Sequence, residues 1–490
     1  MIKKNIFISS IFLLFGTTVL IYSCHKDEPA VDLTAGGFPN AVGKIILGKC
    51  ATSGCHNDLS KEAAAGLSME TWDKLFEGGR GGACIIPYRP DFSTCMYYVN
   101  SPDFPKFGIS LDPQMPFGRT ALTQAEVKIL NDWILEGAPN RDGYVKFSDN
   151  AFRKKIYITN QGCDVVAVID ESSKLVMRYI NVGASPLVES PHMVKISPDG
   201  MYWYVVCLGG QYIQKYSAIN DQFIGQAFIG SGSWNTFTIT GDSKFAWIAD
   251  WGSSNGKILY VNLQNMTLLG TFQGAWGNGH GTLISADSKT LYVGGNYSNK
   301  IYKTDVTNPL SPNENDILVS PNVNAHPHDM IYSPDQTKYY VTCEGTDEIR
   351  VMSVAMDTVL AIIPMGSHPK EMAVSTTHPY LFVTCEDDTT HFPGQGKKGS
   401  VAVINYLTDQ LISFVDAGTF QPHGIGVDDV QGLIYVASRN IASNGPAPHH
   451  TSNCGGRDGY MTIIDINTLQ RVPGYKPELS VDPYSIAVRH

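Results

Sequence analysis

The sequence predicts a multidomain chain in which a small all-α segment comes first and a large all-β array of repeated units follows. Three observations predict this organisation. The chain has 490 residues, which is too many for one ordinary core. A short string of aromatic and β-branched residues recurs along the last two-thirds of the chain. A cysteine and histidine motif in the first third lies beside apolar residues at helical spacing.

The composition is that of a folded globular protein, with 43% hydrophobic and 17% charged residues. The net charge is −10 at pH 7, and the basic residues are scattered along the chain. Nucleic-acid phosphates need a concentrated basic face, so we expect no nucleic-acid partner.

The recurring string has seven copies in residues 150–490. The copies begin at Ile156, Trp203, Ala246, Leu291, Tyr339, Leu381 and Ile434. Their starts are 42–53 residues apart, and such a period with several short strands per unit is typical of a β-propeller. Residues 483–488 form one more strand, which the first copy lacks, so the two chain ends should complete one blade. We expect seven blades, and the string resembles the repeat of the propeller family named for Tyr-Val-Thr-Asn.

The N-terminus has the features of an export signal. Lys3 and Lys4 precede an apolar run that ends at Ser23 and Cys24. The end of this run resembles a bacterial lipobox, although Tyr22 stands where a small residue is usual. The resemblance implies a lipoprotein signal peptide over residues 1–23, lipidation of Cys24 and a tether over residues 24–36. The protein would then be attached to the outer membrane by lipid, on its periplasmic or cell-surface side. An uncleaved membrane anchor is the alternative.

A candidate haem attachment motif follows a short amphipathic helix predicted for residues 41–49. Cys50 and Cys55 are separated by four residues, and His56 comes directly after the second cysteine. Covalent haem attachment needs two thiols for the vinyl groups and a neighbouring imidazole for the iron. The usual spacing has two residues between the cysteines, so this motif resembles the variant attachment site of some c-type cytochromes.

A second ligand is expected on the opposite side of the porphyrin. Met115 precedes Pro116, and a rigid proline-flanked loop presents its thioether at a fixed place. A helix with a capping-box start at Thr123 should follow. The order of these elements resembles that of small class I cytochromes c: a first helix, the attachment motif, a Met-Pro loop and a closing helix. The resemblance covers residues 37–145 and implies one haem c, with His56 and Met115 as axial iron ligands and Met69 or Met96 as substitutes.

The four cysteines of this segment also fit another hypothesis. Cys50, Cys55, Cys84 and Cys95 could form a four-thiolate zinc or iron–sulfur site. That hypothesis leaves Met115 and the helix order unexplained, and Cys84 with Cys95 can be accounted for as a disulfide in an exported protein. Nothing resembles a catalytic Cys–His arrangement.

Histidines recur where the inner strands of the propeller begin. The aligned residues are His192, Asn235, His280, His328, Lys370, His423 and Tyr484. With the histidines of nearby loops, nine should lie on one face: 192, 280, 326, 328, 368, 391, 423, 449 and 450. Each imidazole could simply bond a backbone carbonyl. Alternatively, His192, His280, His328 and His423 could bind a second metal, a cofactor or an anionic substrate in the axial funnel.

Two known classes share part of this plan. Nitrous oxide reductase holds copper with histidines in a seven-bladed propeller, and one class of nitrite reductase joins a cytochrome to an eight-bladed propeller. The chain resembles neither in full.

Cys163 and Cys454 fall in equivalent loops of neighbouring blades and could pair.

Three functions remain open at this point. The first is electron transfer through the haem to a redox partner protein that the sequence does not name. The second is a haem-dependent oxidoreductase with a further site in the funnel. The third is a non-enzymatic surface binding module, because a propeller alone does not decide function. The linker between the two parts should enter the propeller on the face opposite the histidines, which would keep the haem away from the funnel.

Overall fold

A computed structural model describes residues 35–99, 111–252, 256–394, 397–440, 454, 458–474 and 476–489. The expected signal peptide over residues 1–23, Cys24 and almost all of the tether lie outside the described residues. The helical segment and the propeller belong to one compact unit, Leu33–His490. Among the described residues, no helix combines the length and apolar character that crossing a membrane requires.

The first part of this unit is a short helical segment. Its helices are α1 (Asn40–Ile45), α2 (Trp72–Leu75), α3 (Thr94–Tyr98) and α4 (Gln124–Leu135), with a π-helical turn at Ile46–Cys50 and 3-10 turns at Ala35–Gly37 and Lys61–Ala63. The expected capping box is present, since the Thr123 side chain accepts from the Glu126 N–H and the Glu126 side chain accepts from the Thr123 N–H. The predicted helix over residues 41–49 is divided between α1 and the π-helical turn.

The rest of the chain forms seven antiparallel sheets, which are the blades of a β-propeller. Blade 1 contains β1 (Lys155–Asn160), β2 (Val165–Asp170) and β3 (Val176–Asn181); blade 2 contains β4 (Pro191–Ile196), β5 (Tyr202–Cys207), β6 (Tyr212–Ser217) and β7 (Phe223–Phe228); blade 3 contains β8 (Trp234–Ile239), β9 (Phe245–Asp250), β10 (Lys257–Asn262) and β11 (Thr267–Gln273). Blade 4 contains β12 (Gly279–Ile284), β13 (Thr290–Gly295), β14 (Lys300–Asp305) and β15 (Asn313–Leu318); blade 5 contains β16 (Pro327–Tyr332), β17 (Lys338–Cys343), β18 (Glu348–Ser353) and β19 (Val359–Pro364). Blade 6 contains β20 (Pro369–Val374), β21 (Tyr380–Cys385), β22 (Ser400–Asn405) and β23 (Gln410–Val415); blade 7 contains β24 (Phe420–Asp428), β25 (Leu433–Asn440), β26 (Gly459–Asp465), β27 (Gln470–Arg471) and β28 (Glu478–Leu479).

The two ends of the propeller complete blade 1, as the repeat count predicts. The last strand, β29 (Pro483–Arg489), pairs antiparallel with β1 and supplies the inner strand that the first repeat lacks. This pairing leaves no open inner edge where the ring closes. In blade 7 the outer position is shared by β27 and β28, which both pair with β26.

The recurring string is explained by packing between blades. Its second residue is always aromatic and always buried: Tyr157, Tyr204, Trp247, Tyr292, Tyr340, Phe382 and Tyr435 are each at most 1% exposed. Tyr157 packs in one cluster with Trp203 of the next blade, and Tyr292 does so with Tyr339. Full burial of such a side chain contributes roughly 1.5–3 kcal/mol, so the repeat preserves the inter-blade core.

A disulfide joins the first and last blades. Cys163, between β1 and β2, is bonded to Cys454, between β25 and β26, across 291 residues of chain. The predicted pairing is therefore confirmed. A cross-link over so long a loop restricts the unfolded chain and contributes on the order of 2–5 kcal/mol.

Candidate cofactor cavity and axial histidines

A cavity of about 490 Å³ lies in the helical segment and brings together the residues that the sequence singles out. Cys50, Cys55, His56 and Met115 all line it, together with Met69. Its volume is within the roughly 300–1,000 Å³ typical of small-molecule and cofactor sites. The cavity wall is largely apolar, with Ile46, Leu67, Leu75, Val99, Leu130 and Trp133 among its members.

The segment from Cys50 to His56 is positioned by the end of the first helix. The π-helical turn ends at Cys50, and the His56 N–H donates to the Cys50 carbonyl at 3.1 Å, which folds the motif back on itself. Gly54 permits this return, because its φ of 78° is in the region that favours glycine. The Nδ1 of His56 lies 3.3 Å from the Leu67 carbonyl. This contact orients the ring and leaves Nε2 for a ligand. Burial lowers the pKa of His56, which favours the neutral imidazole.

Met115 is held in the cavity wall by the chain around it. Its N–H donates to the carbonyl of Tyr98, the last residue of α3, at 2.9 Å. Met69 also lines the cavity, and its N–H donates to the His56 carbonyl at 2.8 Å. Met96, the other substitute, is 1% exposed in the hydrophobic core and is not among the lining residues. Met115 and Met69 are thus the thioethers that the structure places at the cavity.

The other two cysteines of the segment also line the cavity, but they are free thiols in the structure. Cys84 and Cys95 share a hydrogen bond, which lowers the pKa of Cys84 and raises that of Cys95. The expected disulfide between them is therefore not formed. Burial, with Cys84 and Cys55 nearby, raises the pKa of Cys50 to about 12, which is opposite to the change that activates a catalytic thiol.

Within the residues that the structure describes, no group of three or more His, Cys, Asp or Glu side chains is arranged to hold a metal ion. The four cavity cysteines therefore do not form a preassembled zinc or iron–sulfur cage in this conformation. The second metal predicted for the funnel stays a prediction.

The helical segment packs on the outer strands of the propeller. Arg89 donates from Nη1 to the Tyr179 carbonyl at 2.7 Å and to the Asn181 side chain at 2.9 Å. The Phe92 ring stacks on the Tyr179 ring with centroids 4.3 Å apart. These contacts are with β3, whereas the axial histidines lie on inner strands, so the cavity and the funnel are separate sites.

Four histidines and one tyrosine surround the propeller axis as a closed ring. Successive centroid distances are 4.2 Å from Tyr484 to His192, 6.1 Å to His280, 3.9 Å to His328, 5.5 Å to His423 and 3.6 Å back to Tyr484. The sequence thus predicted correctly that these inner-strand positions meet. Asn235 and Lys370, the other two aligned residues, come from blades 3 and 6.

The imidazoles of this axial ring have different partners. The Nδ1 of His280 lies 2.7 Å from the His328 carbonyl, as the backbone-bonding hypothesis expects. His192 instead meets the Gln161 side chain at 3.1 Å. In contrast, Nδ1 of His328 and Nε2 of His423 are buried without a hydrogen-bond partner. The Nδ1 of His423 lies 3.6 Å from the Glu371 carboxylate. Burial lowers the pKa of His280 to about 4 and those of His328 and His423 well below the ordinary range, so these rings are neutral at pH 7.

A network of ion pairs beside the axial ring was missed by the sequence analysis. Arg439 donates to Glu386 at 2.7 Å and to Asp482 at 2.6 Å, and its guanidinium lies 4.9 Å from the Tyr484 ring centroid. Lys370 pairs with Glu386 at 3.4 Å and also with Glu344. Glu344, Glu386 and Arg439 each directly follow a copy of the recurring string, so alignment of that one further position would have revealed these three members of the network. Asp482 does not follow a copy of the string.

Five other histidines were expected on the same face of the propeller, and the structure describes the positions of three of them. His326 and His368 lie in the loops that enter β16 and β20, and His391 lies between β21 and β22. His449 and His450 lie outside the described residues. His378, expected at the opposite face, contacts Asn467 at 3.2 Å in the turn between β26 and β27.

The fold defines a seven-bladed β-propeller that carries a helical segment with a cofactor-sized cavity. The chain is similar in structure to hydrazine synthase of Kuenenia stuttgartiensis, with 16% identity, a TM-score of 0.50 and coverage of 63% of this chain and 92% of that chain. It is also similar to a functionally unknown protein from Desulfotomaculum acetoxidans DSM 771, with 12% identity, a TM-score of 0.55 and coverage of 69% and 99%. At these identities the likeness shows the fold alone. No protein-family model matches the chain.

Proposed function

We propose that the protein is an exported, lipid-anchored electron-transfer protein in which residues 37–145 form a cytochrome c-like domain and the propeller serves as its platform. The observation that carries the proposal is that Cys50, Cys55, His56 and Met115 line one cavity. These are the two thiols, the imidazole and the thioether that covalent haem attachment and six-coordinate iron require.

The cavity residues fit a haem. Cys50 and Cys55 would hold it covalently, and His56 and Met115 would bind its iron. A haem bound there would supply one-electron redox chemistry through its iron. The chain itself orients His56 through the Leu67 carbonyl and excludes water with an apolar wall. An apolar wall also limits solvent access and lowers the local dielectric, and both influence the redox potential of a bound group.

Covalent attachment is tested with a haem-specific stain of a denaturing gel. We expect the purified wild-type chain to carry a stained band, and the double variant Cys50→Ser, Cys55→Ser to carry none because both thioether bonds are lost. The variant Cys84→Ser, Cys95→Ser is the matched control, since it removes two other cavity thiols and should keep the stain. An unstained wild-type band would contradict the proposal.

The axial role of Met115 is tested by carbon monoxide binding to the reduced protein. With both axial positions filled, wild-type protein should react slowly or not at all. Met115→Ala should open one position and bind carbon monoxide at once, with a shifted absorption spectrum. Met69→Ala removes the other cavity thioether and should behave as wild type. If Met69→Ala is the variant that opens the iron, the ligand assignment is wrong.

The lipid anchor is tested by fractionation. Cys24 is expected to become the acylated N-terminus of the mature chain, and acyl chains add about 0.8 kcal/mol of membrane affinity for each buried CH₂ group. Wild-type protein should therefore sediment with outer membranes, and Cys24→Ala should appear in the soluble fraction. Equal membrane association of both proteins would overturn the lipidation proposal while leaving the haem proposal intact.

The axial ring favours a second candidate function, a haem-dependent oxidoreductase with a further ligand in the funnel. The observation is the partnerless nitrogen atoms of His328 and His423, because buried polar atoms without partners are costly. Elemental analysis of the purified holoprotein tests it. A second metal at one equivalent, lost in His328→Ala, would support this function, whereas iron alone would favour electron transfer.

A further inference from the structure

The wall of the cavity that faces the propeller is a glycine-rich loop. Gly79 and Gly82 exchange two backbone hydrogen bonds, each 2.9 Å long, and close a tight turn around Arg80 and Gly81. The loop lines the cavity from Gly79 to Ile85. It therefore separates the proposed haem site from the propeller by the thickness of one backbone.

The loop lies directly against the strand β28 of the propeller. The Glu478 N–H donates to the Gly81 carbonyl at 3.1 Å. A Cβ at Gly81 would come within 3.1 Å of the Glu478 carboxylate, and a Cβ at Gly82 within 3.2 Å of the Pro477 Cα. Glycine at these two positions thus permits a close approach that no other residue would permit without movement.

The close contact between this loop and β28 places the side chain of Glu478, a propeller residue, in the cavity wall. Glu478 is separated from Cys84 by nearly 400 residues of sequence, yet both line the same cavity. Its position is fixed by the pairing of Glu478 with Tyr460 in blade 7. The packing of Arg89 and Phe92 on β3 holds the helical segment in place beside it.

The charges around the cavity give this side chain a specific effect. Two cations line the cavity, and each has a carboxylate partner: Lys49 pairs with Glu126 at 2.6 Å, and Arg80 pairs with Glu62 at 2.9 Å. Glu478 contributes a carboxylate from the propeller side of the wall, and Lys476 lies near enough to interact with it electrostatically. A carboxylate beside an apolar cavity acts in a lower dielectric than water, and it stabilises the more positive, oxidised state of a redox group.

We infer that the propeller supplies one wall of the cofactor cavity and that its Glu478 carboxylate lowers the reduction potential of the group bound there. The inference rests on the proposed haem function. It gives the propeller a role in the redox chemistry that does not depend on the axial ring, because blade 7 would tune the cytochrome-like domain through direct contact.

The test is the midpoint potential of the full-length holoprotein, measured by spectroelectrochemical titration. Glu478→Gln should shift the midpoint to higher potential. Glu136→Gln is the matched control. Glu136 is an exposed carboxylate of the helical segment that does not line the cavity, so the shift in midpoint potential should be clearly smaller. Glu478→Asp keeps the charge and should remain closer to wild type than Glu478→Gln does.

Two outcomes would overturn the inference. One is a midpoint for Glu478→Gln that shifts no more than that of Glu136→Gln. The other is an equal shift for Glu478→Asp and Glu478→Gln, which would mean that packing rather than charge is responsible. A wild-type chain without covalent haem would instead overturn the proposed function, so the two failures are distinguishable.

Discussion

Replacement of Arg439 by alanine is expected to lower the free energy of unfolding by about 3–5 kcal/mol. Arg439 is 8% exposed and connects three blades, since it extends from blade 7 and pairs with Glu386 of blade 6 and Asp482 beside β29. Its removal leaves the buried Asp482 carboxylate without its cation, and Glu386 keeps only Lys370, at 3.4 Å. Asp482 is fully buried, so it cannot recover the lost interaction from water.

Chemical denaturation at pH 7 measures this effect. Arg141→Ala is the matched control, because that guanidinium is 59% exposed and lies 4.0 Å from Asp142, and an exposed pair contributes about 0–1 kcal/mol. Arg439→Met would remove the charge while retaining much of the side-chain volume, and it should be nearly as destabilised as Arg439→Ala. A loss below about 1 kcal/mol in both variants would contradict the role assigned to this network.

Acidification is expected to destabilise the propeller through its axial histidines. Burial lowers the pKa of His280 to about 4, with Lys370 lowering it further and Glu344 opposing the change. In the unfolded chain the pKa is near 6.5. Below that pH the unfolded state binds protons that the folded state does not, so the stability falls as the pH drops toward 4. For His280 alone the loss approaches about 3 kcal/mol. The lowered pKa values of His328 and His423 act in the same direction.

Unfolding measured between pH 8 and pH 4.5 tests this prediction. His280→Asn preserves a donor toward the His328 carbonyl but does not titrate, so its stability should fall less steeply below pH 6.5 than that of wild type. His378→Asn, at the opposite end of the propeller, should follow the wild-type curve. Identical pH dependence of His280→Asn and wild type would show that the axial rings are not held neutral by burial.

The propeller was predictable because its sequence repeat reflects the packing that is needed between blades. Each copy of the string places an aromatic side chain between two blades, so the pattern survives in all seven copies. The closure by β29 also followed from the sequence, because an inner strand without partners and a first repeat without an inner strand have one simple solution.

The details of the sites were less accessible from the sequence. The Arg439 network is assembled from three blades. Arg439 and Glu386 occupy equivalent repeat positions, but nothing in the sequence shows that they pair with each other or that Arg439 pairs with Asp482. Glu478 reaches the cavity only because the helical segment packs on the outer strands of the propeller. The redox state of Cys84 and Cys95 was also not predictable, since the presence of two cysteines in one segment permits a disulfide but does not require one.

The central claim is that a haem is covalently attached at Cys50 and Cys55. The most direct test is the mass of the proteolytic peptide that contains these cysteines and His56, isolated from the purified protein under denaturing, non-reducing conditions. We expect the measured mass of this peptide to exceed the mass calculated from its sequence by that of one haem, with neither thiol free to be alkylated. A peptide of unmodified mass with two alkylatable thiols would contradict it.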